Sequence, residues 1–150
     1  MARKVKIEGL RELEAALADL PRATGKNVLR RVLKKAAAPI ESTAEALAPH
    51  LTGTLERNIN MGTRLTRRQA QMVRKADSKS SAEIHVGTAD PAGIQTEFGN
   101  VNQTAEPWLR PAWDQNKEGA LNTIATDLGG EIDKAAARLA RKAARAARGG

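Results

Sequence analysis

The side chains of this chain with the plainest chemical capacity are basic, and several of them are clustered. The cluster comprises Arg64, Arg67, Arg68, Arg74 and Lys75. Guanidinium and ammonium groups at such spacing can neutralise phosphates, and non-specific binding of nucleic acid needs little more than that. No zinc-ligand, RNP or helix-turn-helix pattern accompanies them, so the sequence favours a solvated or partner-facing surface, or loose contact with DNA, over sequence-specific recognition.

Catalytic and metal-binding patterns have little support. The two histidines, His50 and His85, have no carboxylate or hydroxyl at motif spacing, which favours surface or packing roles. The sequence contains no cysteine, so neither a thiolate nucleophile nor a cysteine zinc site can form. Its glycines are not spaced as a phosphate-binding loop. We therefore predict a protein that is not an enzyme, with no catalytic, cofactor-binding or metal-binding residue.

All three aromatic residues, Phe98, Trp108 and Trp113, lie within about a tenth of the chain. Aromatic side chains have the largest apolar area per residue, and this chain has few other large side chains. We therefore predict that these three rings and Leu109 form the centre of the core, with a binding site as the alternative. The surrounding block, which we call the hub, comprises Glu97, Phe98, Gly99, Pro107, Trp108, Leu109, Arg110, Pro111 and Trp113.

Two opposite charges, Glu97 and Arg110, flank the aromatic residues. We predict that they pair, directly or across a boundary between subunits, because the planar guanidinium of arginine can engage a carboxylate with two hydrogen bonds. Gly99 is the expected turn residue with positive φ. The charged pair would then hold the polar loop 100–106 closed over the aromatic rings.

A helix is predicted to begin at Pro107, whose fixed φ suits the first helical position. Pro111 would follow the first turn and cost at most one hydrogen bond. The apolar stripe continues far along the chain at helical spacing, with Gly129-Gly130 as the expected break or bend. Near the C-terminus only basic charges remain, and the tail 141–150 is expected to be helix-prone and frayed.

Hydrophobic periodicity predicts the other elements. Strands are predicted near residues 4–8, 57–66 and 81–88, and helices over 10–20 and 24–47, the latter kinked at Pro39. The basic segment 66–81 is predicted to be a mobile hairpin loop, because it contains few apolar groups. Residues 94–98 fit either a strand or a short helix. The fold class is therefore α+β, with a small, mainly antiparallel sheet packed against a kinked N-terminal helix and a long C-terminal helix.

Composition bounds the class of protein. A chain of 150 residues suits a single domain, 1–150, and its core is expected to be modest because its aromatic residues are few and many of its apolar residues are alanine. A formal net charge of +8 favours a polyanion or an acidic protein as partner. The sequence has no signal-peptide pattern and no apolar stretch of about 20 residues, so we expect a protein made in the cytoplasm that does not enter a membrane.

Several short motifs, taken in order, give the chain a resemblance to a known family. The hub contains Glu97-Phe98-Gly99, a polar loop, and Pro107-Trp108-Leu109-Arg110-Pro111-Ala112 followed by Asp114. Elsewhere the chain contains Val5-Lys6-Ile7-Glu8-Gly9-Leu10, Leu20-Pro21, Ala48-Pro49, Thr52-Gly53 and Val86-Gly87-Thr88. This ordered set, from Val5 to about Ala140, resembles the tail-component family of long-tailed bacteriophages, the tail-completion proteins related to the lambda-type minor tail protein Z.

The resemblance implies a structural virion protein at the head-proximal end of the tail, in the neck, where it completes the tail or joins it to the head. It implies as partners copies of the chain in a closed ring, expected to be hexameric, and other neck and tail proteins, with the hub as the site of assembly. DNA that crosses the ring would meet the basic cluster at residues 64–75. A basic nucleic-acid-binding protein of chromosomal or regulatory type is the alternative that the residues leave open.

Overall fold

The computed structural model of the chain describes residues 9–50, 53–72 and 82–149. The elements in chain order are α1 (Leu10–Ala18), α2 (Arg22–Leu47), α3 (Thr54–Arg57), β1 (Ile59–Gly62), α4 (Arg67–Met72), β2 (His85–Thr88), α5 (Pro91–Phe98) and α6 (Leu109–Arg148). The predicted α+β class, with a small antiparallel sheet and a long C-terminal helix, is confirmed. The predicted strand at residues 4–8 falls outside the described residues.

Two long helices, α2 and α6, pack antiparallel and form the body of the fold. The buried side of α2 follows the helical period of its small and branched residues, including Val28, Val32, Ile40 and Ala44. Two ion pairs cross the interface side by side, with Arg31 on Glu131 at 3.4 Å and Lys35 on Asp127. Because each step forward along α2 matches a step backward along α6, the pairs confirm the antiparallel direction.

The buried apolar residues divide into two clusters along this helix pair. The first cluster comprises Ile40, Ala44, Ala48, Leu55, Ile59, Trp108 and Ala112. The second cluster comprises Leu20, Val28, Val32, Leu128, Ile132 and Ala135. Between them α2 presents Ala36 and Ala37, which are buried but small. The described core is therefore two patches of larger side chains joined by a thin stretch of alanine.

The sheet is a two-stranded antiparallel ribbon. In its register Ile59 lies opposite Thr88 and Gly62 lies opposite His85. The strands are four residues long, shorter than the predicted 57–66 and 81–88. Ile59 is buried in the first cluster, and Val86 packs against that cluster from β2.

The structure decides the state of residues 94–98, which the sequence left open between a strand and a short helix, and it differs from the sequence-based expectations at two further places. Residues 94–98 belong to helix α5. The first part of the predicted loop 66–81 is helix α4, and residues 73–81 lie outside the description. The helix α6 runs without a break through Gly129-Gly130. An added Cβ on Gly129 would lie 3.6 Å from Leu13 Cδ2 of α1, so this glycine is explained by close packing of α1 rather than by a break.

Helix boundaries shift by two residues at both long helices. The helix α2 begins at Arg22 rather than at Thr24 and contains Pro39 in its interior. The helix α6 begins at Leu109 rather than at Pro107. Among the described residues, no helix combines the length and the apolar character that crossing a membrane requires.

Candidate functional site

The candidate site is the start of α6, where Glu97 from the end of α5 receives the helix N-terminus. Its Oε2 accepts the main-chain N–H groups of Trp108 at 2.7 Å and Leu109 at 2.8 Å. Its Oε1 accepts the main-chain N–H of Arg110 at 3.1 Å. The carboxylate is buried. One side chain thus supplies the acceptors that a capping residue usually supplies, and its negative charge lies at the positive end of the helix.

Pro111 completes this arrangement. An α-helix leaves its first four N–H groups without partners inside the helix. Here the first three of those N–H groups bind Glu97, and the fourth position is Pro111, which has no N–H to satisfy. The prediction that Pro111 follows the first turn was wrong, because the helix begins two residues later than Pro107. At its actual position Pro111 costs no hydrogen bond at all.

Arg110 binds Glu97 within the same chain. Its Nε donates to Glu97 Oε1 at 2.7 Å, and its Nη2 donates to the main-chain carbonyl of Glu97 at 2.8 Å. The guanidinium carbon also lies 4.7 Å from the centre of the Phe98 ring, which is a cation–π contact. The predicted fork on two carboxylate oxygens was wrong in detail: the two donors divide between the carboxylate and the main chain.

The protonation of Glu97 follows from these contacts. Burial raises the pKa of Glu97, but the main-chain N–H of Leu109, the Arg110 side chain and the remaining N–H donors together outweigh it. The pKa of Glu97 therefore lies below its ordinary value, and the group is a carboxylate at neutral pH.

Trp108 is the one aromatic residue that the structure places in the core. Its ring packs in the first cluster, and its indole N–H donates to the carbonyl of Gly93 at 3.3 Å. Gly93 is required at this contact, because an added Cβ would overlap Thr88 Cγ2 and would lie 3.4 Å from the Trp108 ring. The prediction that Trp108 is core is confirmed.

Phe98 and Trp113 were predicted to be core, and this was wrong. Phe98 is 64% exposed and Trp113 is 55% exposed. The reason lies in the helix period. Trp113 follows Trp108 by five residues, which turns it about 140° around the helix axis and away from the buried side that Ala112 continues. Phe98 lies next to the buried Glu97 at the end of α5 and faces the solvent, under Arg110.

The loop between α5 and α6 folds into a tight projecting turn. Asn100 and Gln103 exchange main-chain hydrogen bonds, and the N–H of Glu106 donates to the carbonyl of Thr96 at 2.8 Å. Gly99 has a φ of 73°, and an added Cβ there would lie 2.8 Å from the nitrogen of Ala105, so only glycine fits. Val101 at the tip is 99% exposed. No residue pattern in this loop predicts that an apolar side chain would be held outward in this way.

Two other exposed apolar residues precede Val101 in the chain. Ile94 and Phe98 lie one turn apart on α5, and both are exposed. We call Ile94, Phe98 and Val101 the apolar knob.

A groove of about 1430 Å³ lies beside the start of α6. It is lined by residues of α2, α4, α6 and β2, and most of its larger side chains are apolar. They include Leu33, Leu65, Met72, Ile84, Trp113 and Leu121. Met72 is 74% exposed, although methionine is usually buried. We call this surface the apolar groove.

The basic cluster is only partly described. Arg64, Arg67 and Arg68 are exposed beside or on α4, whereas Arg74 and Lys75 lie outside the described residues. Adjacent positions on a helix point about 100° apart, so Arg67 and Arg68 do not share one direction.

The histidines each have one carboxylate nearby, which the sequence did not predict. His50 Nδ1 lies 2.6 Å from Glu56 Oε2, and His85 Nε2 lies 3.7 Å from Glu83 Oε2. Among the hydrogen bonds that the structure describes, none joins either histidine–carboxylate pair to a nucleophilic side chain or to a third residue. No group of three or more potential metal ligands occurs in the parts of the chain that the structure describes.

Comparison with known proteins adds one match. Residues 11–99 match the family model described as "Bacteriophage HK97-gp10, putative tail-component". The match includes the end of α5, with Glu97, Phe98 and Gly99, and stops before the start of α6. No curated protein and no solved structure matches the chain.

Proposed function

We propose that this chain, which belongs to the HK97-gp10-like family of bacteriophage tail components, acts at the head-proximal end of the tail and assembles there into a ring. The family match covers more than half of the chain and makes it a tail-related structural protein whose partners are other tail proteins. The proposal adds a role in tail completion or head-tail joining, a position in the neck, and assembly into a ring. The role is one of assembly rather than catalysis.

The exposed apolar surface at the hub carries this proposal. Two of the three aromatic side chains of the protein, Phe98 and Trp113, lie largely in solvent beside a rigidly held helix start. Large exposed apolar patches on small proteins mark surfaces that bind other proteins. Aromatic side chains that are buried at the centre of an interface also contribute most of its binding energy.

The arrangement of this surface supports contact between copies of the chain. The apolar knob projects from the α5–α6 turn, and the apolar groove lies along α2, α4 and α6. A projection on one copy and a groove on the next form a head-to-tail contact, in which the two surfaces differ. Such contacts generate a ring when the rotation between copies closes. We propose that the knob of one copy enters the groove of the next, around a channel that DNA crosses.

A mixing experiment tests the head-to-tail contact. Val101→Glu places a charge on the knob and leaves the groove unchanged, and Met72→Glu places a charge in the groove and leaves the knob unchanged. Both side chains are exposed, so neither change should disturb folding. Leu47→Glu is the matched control, because Leu47 is also exposed and does not line the groove. Light scattering after gel filtration gives the masses.

We expect rings for the unmodified chain and for Leu47→Glu, and monomers for each of the other variants alone. An equimolar mixture of Val101→Glu and Met72→Glu should form dimers that grow no further, because only one intact knob and one intact groove can meet. Full-size rings from Val101→Glu alone would exclude the knob. A chain that remains monomeric at all concentrations, and whose Val101→Glu variant still supports tail assembly, would refute the proposal.

A further inference from the structure

The last part of α6 extends beyond the rest of the described fold. The helix contains 40 residues and α2 contains 26, so at 1.5 Å per residue α6 is about 60 Å long and α2 about 39 Å. The last residue of α6 packed against a core cluster is Leu139. Every residue from Ala140 to Gly149 is exposed. We call residues 134–148 the C-terminal arm.

The cations of this arm share one face. They are Lys134, Arg138, Arg141, Lys142, Arg145 and Arg148. Their spacings of one, three and four residues place all six within an arc of about 120° at 100° per residue. No acidic residue follows Asp133 in the sequence. Lys134 is paired with Glu131, at 3.1 Å, so the net positive charge of the stripe increases toward Arg148.

The residues of the arm other than its cations restrict the class of partner that the arm can bind. Between and opposite the cations the arm presents mainly alanine, with Leu139 at the inner end. The residues that dominate protein interfaces are tryptophan, tyrosine and arginine, and the projecting part has only arginine, with no large apolar side chain beside it. A helix that lies on a membrane needs bulky apolar residues opposite its charges. Single-stranded nucleic acid needs aromatic rings for stacking, and the arm contains none.

We infer that the C-terminal arm binds the phosphate backbone of duplex DNA, without regard to sequence. The six cations extend over about 21 Å of helix, or one charge per roughly 4 Å, facing a duplex that carries one negative charge per about 1.7 Å of its axis. Four of the six are arginine, whose planar group suits phosphate oxygens. Small alanine neighbours let the helix approach the backbone closely. The inference rests on the proposed function only in one respect, namely that the chain meets DNA in the channel of the ring.

The arm is a better DNA surface than the basic cluster at residues 64–75. The helix α4 has six residues and carries two described cations of that cluster, Arg67 and Arg68, whereas the arm places six cations within one arc of about 120° over four turns. A row of aligned charges can contact successive phosphates at the same time. Each simultaneous phosphate contact releases counterions and steepens the dependence of binding on salt.

The test measures binding of the full chain to a 30-base-pair duplex by fluorescence anisotropy over a range of NaCl concentrations. The arm variant carries Arg138→Gln, Arg141→Gln, Arg145→Gln and Arg148→Gln. Its matched control carries Arg11→Gln, Arg22→Gln, Arg30→Gln and Lys34→Gln, four exposed cations of α1 and α2 with the same loss of charge. Glutamine keeps nearly the helix propensity of arginine, and circular dichroism checks that both variants remain helical.

We expect the slope of log K against log[NaCl] to become shallower by about 3 to 4 in the arm variant, since each lost phosphate contact removes about 0.9. Affinity near 0.1 M salt should fall more than 100-fold, and the control should change several-fold at most. An unchanged slope, or an equal loss in the control, would overturn the inference. So would tighter binding of the arm to polyglutamate than to DNA, which would indicate an acidic protein partner.

The same samples separate this inference from the proposed ring. Light scattering on the arm variant reports whether rings form when DNA binding is lost. Rings without DNA binding in that variant, and DNA binding with a normal salt slope in the monomeric Val101→Glu variant, are the results expected if the arm and the knob act independently. Loss of the slope in Val101→Glu would place DNA binding in the assembled ring and not in the arm.

Discussion

Glu97 lies eleven residues before Trp108 in the sequence, and its Oε2 accepts the main-chain N–H of Trp108 at 2.7 Å. Trp108 precedes the first residue of α6 and has no side chain that can cap a helix. The end of one helix therefore supplies the cap of the next, and the α5–α6 turn is held shut at its base. Because the same carboxylate binds Arg110, any change to Glu97 affects both the helix start and the ion pair.

The first prediction is an asymmetry between the two partners of this pair. Glu97→Gln should destabilise the monomer by roughly 2–4 kcal/mol, because three N–H groups at the helix start lose a charged acceptor. Arg110→Gln should cost about 1 kcal/mol or less, since the arginine is more than half exposed. Urea denaturation of both variants, the double variant and the exposed control Glu106→Gln gives the comparison. Equal costs for Glu97→Gln and Arg110→Gln would contradict the capping role.

The second prediction concerns acid. The pKa of Glu97 lies below its ordinary value of 4.5 in the folded chain, so the folded state holds the ionised form more strongly than the unfolded state does. The stabilisation is thus fully present above about pH 4.5 and is lost as the pH falls from there through the lower folded pKa. The difference in unfolding free energy between the unmodified chain and Glu97→Gln should shrink across that window. A difference that stays constant down to pH 2 would show that ionisation of Glu97 is not the cause.

The third prediction is that one type of substitution has opposite signs at two prolines. Pro39 lies inside α2, where it removes a hydrogen bond to the carbonyl of Lys35, so Pro39→Ala should stabilise the chain by roughly 2 kcal/mol. Pro111 lies at a position whose N–H would have no helical partner, so Pro111→Ala should instead cost about 0.4–1 kcal/mol through the freer unfolded chain. Thermal unfolding of both variants measures this. The same sign for both would mean that Pro111 does disturb α6.

A fourth prediction uses two helical glycines. At Gly93 an added Cβ would overlap Thr88 Cγ2 and lie 3.2 Å from Leu55 Cδ1, whereas at Gly130 it would meet nothing within 4 Å. Gly93→Ala should therefore destabilise by roughly 1–3 kcal/mol through overpacking. Gly130→Ala should stabilise by about 1 kcal/mol, the usual difference in helix propensity. Chemical denaturation of the two variants decides, and stabilisation by Gly93→Ala would show that the contact with Thr88 relaxes freely.

The fifth prediction separates the two tryptophans. Trp108→Ala should cost roughly 3–5 kcal/mol of monomer stability, as expected for deletion of a buried large aromatic side chain. Trp113→Ala should cost under about 1 kcal/mol, because its ring is half exposed, and should instead weaken self-association. Unfolding at low concentration and light scattering at high concentration give the two quantities. A large loss of stability with normal association in Trp113→Ala would show that the Trp113 side chain belongs to the core.

Much of the fold follows from local pattern, and the failures have identifiable physical causes. The period of α2 and the alternation around Ile59 and Val86 are properties of short segments, so the sequence predicts them. The start of α6 is different, because it is set by a carboxylate from another helix. Glu97 and Arg110 could be paired from sequence because they are opposite charges that flank the aromatic residues, but the three main-chain donors at Glu97 could not be predicted.

The exposed aromatic residues mark a second limit of pattern. The prediction assumes that aromatic residues close in sequence are also close in the core. The five-residue step from Trp108 to Trp113 instead turns the second ring away from the core. Because the predicted start of α6 was misplaced by two residues, the side-chain directions in the first turns of this helix could not be predicted correctly. The knob at Val101 depends on the path of a short turn and leaves no periodic signal.

The division of the apolar residues into two clusters has a consequence for how the molecule opens. Amide protons exchange with solvent through local openings whose free energies follow the packing around them. The cluster at Ile40 and Trp108 contains the Glu97 cap, and the cluster at Val28 and Leu128 lies toward the C-terminal arm, with alanines between them. We therefore expect the two clusters to open separately on their shared pair of helices. If the arm binds DNA and the apolar knob meets a neighbouring copy, as we propose, we expect the alanine stretch to absorb deformation of α6 between the two surfaces.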